Sequence, residues 1–328
     1  MNGTETKIEI FAPFGAAVEL TKIILFRPFD IGKWFAIGFA AFLANFAGGV
    51  HFGNFNPNWN RHGAWRAFTR SSTTGLGSAD QWPAWAIPLI IGAAVLGIAL
   101  VLVLMWIGAR GRFMFTDCIV RNRGAIVEPW NEFRREGNSF FLFCLLVVVG
   151  IIAILALALL PVFLPVILHG KSTNISFAIG LIFWAGLILL VAFVWALVSQ
   201  LMVPMMYRRR CLASEAFSET VLLIAKYPAP LILYFLFFIV LALASVMVGF
   251  ASACVTCCIT AIPYLGTVIL LPIYVLLYGF TLMFMRQFGP DYNVWANIAP
   301  PELSPIVSSH PPAPPTSTSP PSPPSLPT

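Results

Sequence analysis

The sequence predicts an all-α fold, a polytopic six-helix transmembrane bundle with short interfacial amphipathic helices. Of its 328 residues 59% are hydrophobic and only 10% are charged, and the mean hydropathy is +0.86. Soluble domains carry charge on roughly a quarter of their residues, so most of this chain must face lipid. Two further observations, the spacing of the apolar runs and the distribution of basic residues between them, define the bundle.

Six apolar runs are long enough to be considered as membrane spans, which need about 20 residues each. They lie near residues 34–50, 85–107, 139–168, 176–203, 228–253 and 260–285. Only CVTCCITAIP (254–263) separates the last two, and Pro263 favours a tight turn there over one long helix. The runs contain essentially no ionisable residue. Residues 1–298, which include all six runs, are predicted to form a single membrane domain.

Basic residues are distributed unequally between the two sides of this bundle. Fifteen Lys and Arg residues fall on the side of the termini, and four fall on the other side, namely Arg61, Arg66, Arg70 and Lys171. Because positively charged loops are retained in the cytoplasm, both termini are expected to be cytoplasmic. The charge-dense stretch 110–137 is then a cytoplasmic loop, and the expected location is a bacterial cytoplasmic (inner) membrane.

Three short segments precede the first, third and fifth spans. They read AVELTKIILF (17–26), AIVEPWNEFRREG (125–137) and ASEAFSETVLLIAKYP (213–228). Each combines acidic, apolar and polar residues at helical spacing, which predicts helices lying in the headgroup plane and three units of interfacial helix plus hairpin. In the middle segment Pro129 suits the first helical position and Gly137 a helix stop. The alternative is that these segments are simple extensions of the spans.

The residues at 111–141 and 203–217, GRFMFTDCIVRNRGAIVEPWNEFRREGNSFF and VPMMYRRRCLASEAF, carry a family resemblance. They resemble a group of bacterial six-span proteins that includes the membrane domain fused ahead of some glycerophosphodiester phosphodiesterases. The resemblance implies a six-helix membrane fold and supplies no catalytic residue. The hydrolase half of the fused enzymes is absent, so their activity is not expected here.

Nine arginines are candidate contacts for anionic lipid headgroups, each worth on the order of 1 kcal/mol near such a surface. They are Arg110, Arg112, Arg121, Arg123, Arg134, Arg135, Arg208, Arg209 and Arg210. Asp117 stands among four of them, so an ion pair is expected to fix the end of the second span.

In the fifth span Ser245, Gly249 and Ala253 recur every four residues, and small residues at this spacing let another helix approach closely. Packing within the bundle and a homo-oligomer face are the two interpretations. Membrane lipids are the expected partners, while the position of the basic residues beside apolar runs argues against nucleic acid.

No motif for catalysis, metal binding or a cofactor is recognisable. Cys254, Cys257 and Cys258 lack a neighbouring histidine or second cysteine pair with which to form a zinc shell. Packing, a disulfide and lipid modification remain open for them. The sequence contains no GxSxG, HExxH or phosphate-binding loop, so an enzyme is the weakest class.

Residues 299–328 form a Pro-rich tail, with 12 of the 26 prolines from Pro300 onward. Such a composition predicts a disordered cytoplasmic segment, either a docking site or an inert tail. We expect a non-enzymatic structural or regulatory membrane component. The alternative is a transporter or channel for an uncharged or lipid-like molecule, with a polar cavity lined by Asn45, Gln200, Ser245 and Thr281.

Overall fold

The computed structural model describes residues 9–45, 85–169, 174–255 and 262–296, and the regular structure in these ranges is entirely helical. The Pro-rich tail lies outside the described residues. So do Cys257 and Cys258 and the four basic residues assigned to the far side, Arg61, Arg66, Arg70 and Lys171. Ten α-helices occur in the described ranges: α1 Phe11–Phe26, α2 Ile31–Ala44, α3 Ala86–Val120, α4 Val127–Glu132, α5 Arg134–His169, α6 Asn174–Arg209, α7 Ala213–Lys226, α8 Pro228–Val255, α9 Pro263–Ile269 and α10 Leu271–Met285.

Among the described residues, five helices are long and apolar enough to cross a membrane. Their candidate spans are Ile87–Val120, Arg134–Leu157, Ile182–Arg209, Pro228–Val255 and Leu271–Phe288. Helix α2 is apolar as well, but with 14 residues it is shorter than a span. The length and composition of these helices are those of a multi-pass helical membrane protein.

Several predicted boundaries are corrected by the structure. Helix α3 continues 13 residues past the predicted end at 107, so Arg110 and Arg112 belong to a helix and not to a loop. The run 260–285 is interrupted at Leu270, next to Pro272, whose ring nitrogen has no hydrogen to donate to the helix. Helix α2 begins at Ile31 and ends at Ala44, and residues 46–50 of the first predicted span lie outside the described residues.

The prediction that Gly137 ends a helix was wrong. Gly137 lies in the first turn of α5, and Pro129 is the third residue of the short helix α4 rather than its first. A Cβ atom at position 137 would lie 2.9 Å from Cγ of Arg110. The glycine therefore permits close packing of α5 on α3, which is a tertiary requirement that the local sequence does not reveal.

Helix α2 runs antiparallel to the last part of α3. Near the start of α2, Lys33 Nζ donates to Asn122 Oδ1 over 2.6 Å, where α3 has just ended with Asn122 in the left-handed region (φ 52°). Near the end of α2, a Cβ on Gly111 would lie 2.7 Å from the backbone of Leu43 and Ala44. The two helix backbones thus meet at Gly111 with no side chain between them.

The buried core is concentrated at the end of the bundle that carries the charged residues. In α3 every residue of the range 108–120 is buried, whereas the residues of 87–101 are exposed. Helix α6 repeats this pattern, with buried residues such as Leu201 and Met206 near its end. The exposed parts of these helices carry apolar side chains and present them to the surrounding lipid.

Both ends of the described chain lie at this same end of the bundle. The side-chain amide of Gln287 accepts from the N–H of Glu9 and donates to its carbonyl, each over 2.8 Å. After two short 3₁₀ turns, Trp295 is buried and its indole N–H donates to the carbonyl of Val120 over 3.2 Å. The first and last described segments are therefore attached to the same face as the end of α3.

Candidate functional site

Asp117 is the centre of an ion-pair cluster at the charged end of the bundle. Its side chain is 0% exposed. Oδ1 lies 3.0 Å from Nε of Arg121 and accepts a 2.9 Å hydrogen bond from the hydroxyl of Tyr207. Oδ2 lies 3.1 Å from Nη2 of Arg123. Both oxygens are thus satisfied by charged or polar donors, and the expected pairing of Asp117 with neighbouring arginines is confirmed.

The cluster continues outward through α4 to the end of α6. Arg123 pairs with Glu128 over 2.7 Å, and Arg121 pairs with Glu132 over 2.9 Å. Arg210, in the left-handed region just after α6, also bonds Glu132. We call these residues the arginine–carboxylate cluster: Asp117, Arg121, Arg123, Glu128, Glu132 and Arg210.

A stack of aromatic rings packs against the arginine–carboxylate cluster at Arg210. The guanidinium of Arg210 lies 3.8 Å from the centroid of the Phe133 ring, in a cation–π contact. Phe133 in turn stacks on Tyr207, with ring centroids 4.7 Å apart, and on Phe113 at 5.9 Å. The stack joins the ends of α3 and α6 to the connection between α4 and α5.

The charge of the arginines acts directly on Glu132. Burial raises the pKa of Glu132, but the hydrogen bond from Arg210 and the nearby charge of Arg121 outweigh burial. The pKa of this carboxyl therefore lies below its usual value of 4.5. Glu132 is held in its charged form at neutral pH.

The nine arginines predicted to contact headgroups occupy four different kinds of environment. Arg121, Arg123 and Arg210 belong to the arginine–carboxylate cluster, and Arg209 lies 3.3 Å from Glu219. Arg208 is half-buried at the end of α6. Only Arg134 and Arg135 are exposed with no carboxylate within ion-pair distance in the part of the chain that the structure describes.

Arg110 and Arg112 are buried in the bundle. The guanidinium of Arg110 donates to Asn138 Oδ1 over 2.9 Å and lies against the rings of Trp106 and Trp130, at 4.4 and 5.1 Å. Arg112 donates to Ser199 Oγ over 3.3 Å and lies 5.4 Å from the ring of Phe140. The sequence assigned both to a loop, because no apolar pattern signals that α3 continues past them.

Arg112 also lines a cavity of about 100 Å³ between α2, α3, α6, α8 and α10. Four other polar side chains line it, namely Asn45, Gln200, Tyr274 and Tyr278. The hydroxyl of Tyr278 is hydrogen bonded to that of Thr116 over 2.6 Å. Alanines and larger apolar residues complete the wall. The cavity combines one guanidinium with several neutral polar groups in otherwise apolar surroundings, which is the composition of a small-ligand site.

This cavity contains half of the polar set predicted from the sequence. Asn45 and Gln200 line it, but Ser245 and Thr281 do not. Ser245 donates to the carbonyl of Leu241 in its own helix, and Thr281 is bonded to Tyr234 over 2.8 Å. Sequence reasoning did not place Arg112, Tyr274 and Tyr278 at this site. They come together because α3 continues past residue 107 and because five helices meet here.

The small-residue stripe on α8 is only partly covered. Ser245 is buried, while Gly249 and Ala253 are half-buried among the described residues. The choice between internal packing and an oligomer face stays a prediction.

Cys254 is exposed and is a free thiol. Within the described ranges no group of three His, Cys, Asp or Glu residues is arranged to hold a metal ion.

A model of a family of unknown function, DUF7544, matches residues 9–289 of the chain. No curated protein and no solved structure matches the chain. The resemblance to the membrane domain of glycerophosphodiester phosphodiesterases therefore stays a prediction.

Proposed function

Because the chain belongs to DUF7544, a family of unknown function, we propose a role from the chemistry of its own residues. It acts as a non-enzymatic structural or regulatory component of a bacterial cytoplasmic membrane. It crosses the bilayer six times, keeps both termini in the cytoplasm and binds anionic headgroups at its charged end.

The contact between Glu9 and Gln287 supports an even number of crossings. Helices α5 and α6 form one hairpin that leaves and returns to the charged end, and α8 with α10 forms a second. Helix α3 ends there too, so its beginning at Ala86 lies on the far side. One further crossing must bring the chain from residue 9 to that side.

We assign this crossing to the part of the chain between the end of α2 and the start of α3. The end of α2 lies level with Gly111, and the start of α3 lies 25 residues farther along the α3 axis. At 1.5 Å per residue this is about 38 Å, which the chain between Asn45 and Trp85 has to cover.

The orientation follows from the excess of basic residues at the charged end, fifteen against four. Reporter fusions after Arg210 and after Trp295 test it, with a fusion between residues 60 and 80 as the matched far-side position. Cytoplasmic signals from the first two and an external signal from the third are expected. External signals from the first two would refute the proposed orientation.

The observation that carries headgroup binding is the exposure of Arg134 and Arg135 in the first turn of α5. This turn directly precedes an apolar helix, so the two guanidinium groups lie where the helix enters the lipid. The other predicted arginines are largely engaged with protein carboxylates or aromatic rings. Headgroup binding is therefore concentrated on this pair.

Spin-labelled lipids in reconstituted membranes test the proposal. The wild-type protein is expected to enrich phosphatidylglycerol over phosphatidylcholine in its first lipid shell, by about fivefold for each basic contact. Arg134→Gln/Arg135→Gln removes this enrichment. Lys22→Gln is the matched control, because Lys22 is exposed but already paired with Glu19 over 2.7 Å. Equal lipid preference in wild type and double variant would refute headgroup binding by these residues.

The cavity supports a second candidate role, transport of a lipid-like molecule. Its polar lining includes Asn45 and Gln200, as a transport site would require. Reconstitution into vesicles and measurement of the transbilayer movement of a fluorescent lipid or fatty acid test this role. Lipid movement no faster than in protein-free vesicles would exclude the transport role.

A further inference from the structure

We propose that the cavity at Arg112 binds the anionic end of an amphiphile, a carboxylate or phosphate carried on an apolar chain. The inference rests on the ligand-handling role proposed second and adds the ligand class and the binding residue. It does not depend on headgroup binding by Arg134 and Arg135.

The chemistry of the lining favours an oxyanion. A guanidinium offers planar pairs of N–H donors that match the oxygens of a carboxylate or phosphate, and these charge-assisted bonds are the strongest of their kind. The side-chain amides of Asn45 and Gln200 and the hydroxyl of Tyr274 line the same space and provide further donors. No carboxylate side chain lines the cavity among the described residues, so an entering anion meets no repelling charge in its wall.

The size of the cavity restricts which part of the ligand it holds. A volume of about 100 Å³ is well below the roughly 300–1,000 Å³ of pockets that enclose a drug-sized ligand. One carboxylate or phosphate group fits this space, whereas a complete lipid does not. The apolar chain must therefore leave the cavity.

The position of Arg112 along α3 allows the apolar chain of the ligand to reach the lipid. Residues 86–109 of α3 contain no charged side chain and extend over about 36 Å. Because the hydrocarbon core is about 30 Å thick, Arg112 lies close to the level of the headgroups. Beyond the cavity the side chains of α3, such as Leu96 and Leu100, are apolar and exposed, and they offer a surface for the chain.

Binding is measured with the full chain in nanodiscs of phosphatidylcholine, which carries no net charge. A fluorescent long-chain carboxylic acid is the probe, and its methyl ester, a long-chain alkyl phosphate, acetate and inorganic phosphate are the competitors. The acid and the alkyl phosphate are expected to bind, the ester weakly. If acetate or inorganic phosphate competed as well as the chain-bearing anions, the site would hold a free anion and the amphiphile proposal would be wrong.

Arg112→Gln removes the guanidinium and is expected to weaken binding of the acid by about tenfold or more, as loss of a charged hydrogen bond implies. The ester should bind the variant and the wild type equally. Unchanged affinity for the acid overturns the proposal. Lys22→Gln is the matched control, because it removes one positive charge at the surface from a residue already paired with Glu19, and its affinity for the acid should stay at the wild-type value.

Ala196→Leu keeps the charge and fills the cavity, so it decides the matter if Arg112→Gln does not fold. Ala196 lines the cavity, and the larger side chain is expected to abolish binding of the acid. Binding that survives in Ala196→Leu overturns the proposal. If the wild-type protein binds the acid but moves no lipid in vesicles, this inference holds and the transport role fails.

Discussion

The hydroxyl of Tyr207 donates a 2.9 Å hydrogen bond to Oδ1 of Asp117, although 90 residues separate the two in sequence. Tyr207 lies near the end of α6 and Asp117 near the end of α3, so this bond joins two helices at the charged end of the bundle. Because Asp117 is buried and also bonds two arginines, the carboxylate determines how these segments are held together.

Replacing Asp117 by Asn should strongly destabilise the protein. The amide preserves the shape of the side chain but leaves Arg121 and Arg123 without the negative charge between them. Breaking a buried ion pair costs about 3 kcal/mol. Thermal unfolding in detergent measures the effect, and Glu19→Gln, in an exposed pair with Lys22, should leave the transition unchanged. Equal transitions for both variants would contradict this account of Asp117.

Tyr207→Phe removes only the hydroxyl and keeps the ring stacked on Phe133. A hydrogen bond to a charged group is worth about 2 kcal/mol, so a smaller loss of stability than in Asp117→Asn is expected. In the double variant the two effects should be less than additive, because Asp117→Asn weakens the same hydrogen bond that Tyr207→Phe removes. Full additivity would show that the bond makes no contribution.

Gly111→Ala should weaken the packing of α2 on α3. The added methyl group would lie 2.7 Å from the backbone of Leu43 and Ala44, and a backbone cannot turn away as a side chain can. Gly97→Ala is the matched control in the same helix, since a Cβ at that position meets nothing within 4 Å. The unfolding temperature should fall for position 111 alone, and an equal response at the two positions would argue against close backbone contact.

Acid should loosen the contact between Glu132 and Arg210. The pKa of Glu132 in the folded protein lies below the ordinary value of 4.5. Its contribution to stability is therefore present above about pH 4.5 and is lost as the pH falls through the lowered pKa. Glu132→Gln should have a lower unfolding temperature than wild type at pH 7, and the difference should shrink at about pH 3.5. Glu215→Gln, on the exposed face of α7, serves as the control, and a difference that stays constant with pH would contradict the prediction.

Five of the six apolar runs coincide with the long apolar helices, because lipid-facing surface demands hydrophobicity along the whole segment, but the helix ends differ from the predicted ones. The sequence also paired Asp117 with its neighbouring arginines, which are four and six residues away on the same or the next turn. It could not predict Tyr207 as a partner, nor the burial of Arg112, because both depend on which helices meet. A charged residue after an apolar run looks the same in sequence whether the helix stops there or continues.

Gly137 illustrates the same limit at the level of the backbone. In the local sequence pattern, a glycine after a polar stretch predicts the end of a helix. Here Gly137 instead leaves space for the side chain of Arg110. The corresponding signal in the sequence would be a long-range one, linking position 137 to position 110.

Trp295 links the last described turn to α3 mechanically, because its indole N–H donates a hydrogen bond to the carbonyl of Val120. A force applied to the chain after Trp295 is transmitted to the final turn of α3. That helix carries Asp117 and, farther along, Arg112. A protein that pulled on the residues after 295 would thus strain the ion pairs and the cavity together without entering the bilayer.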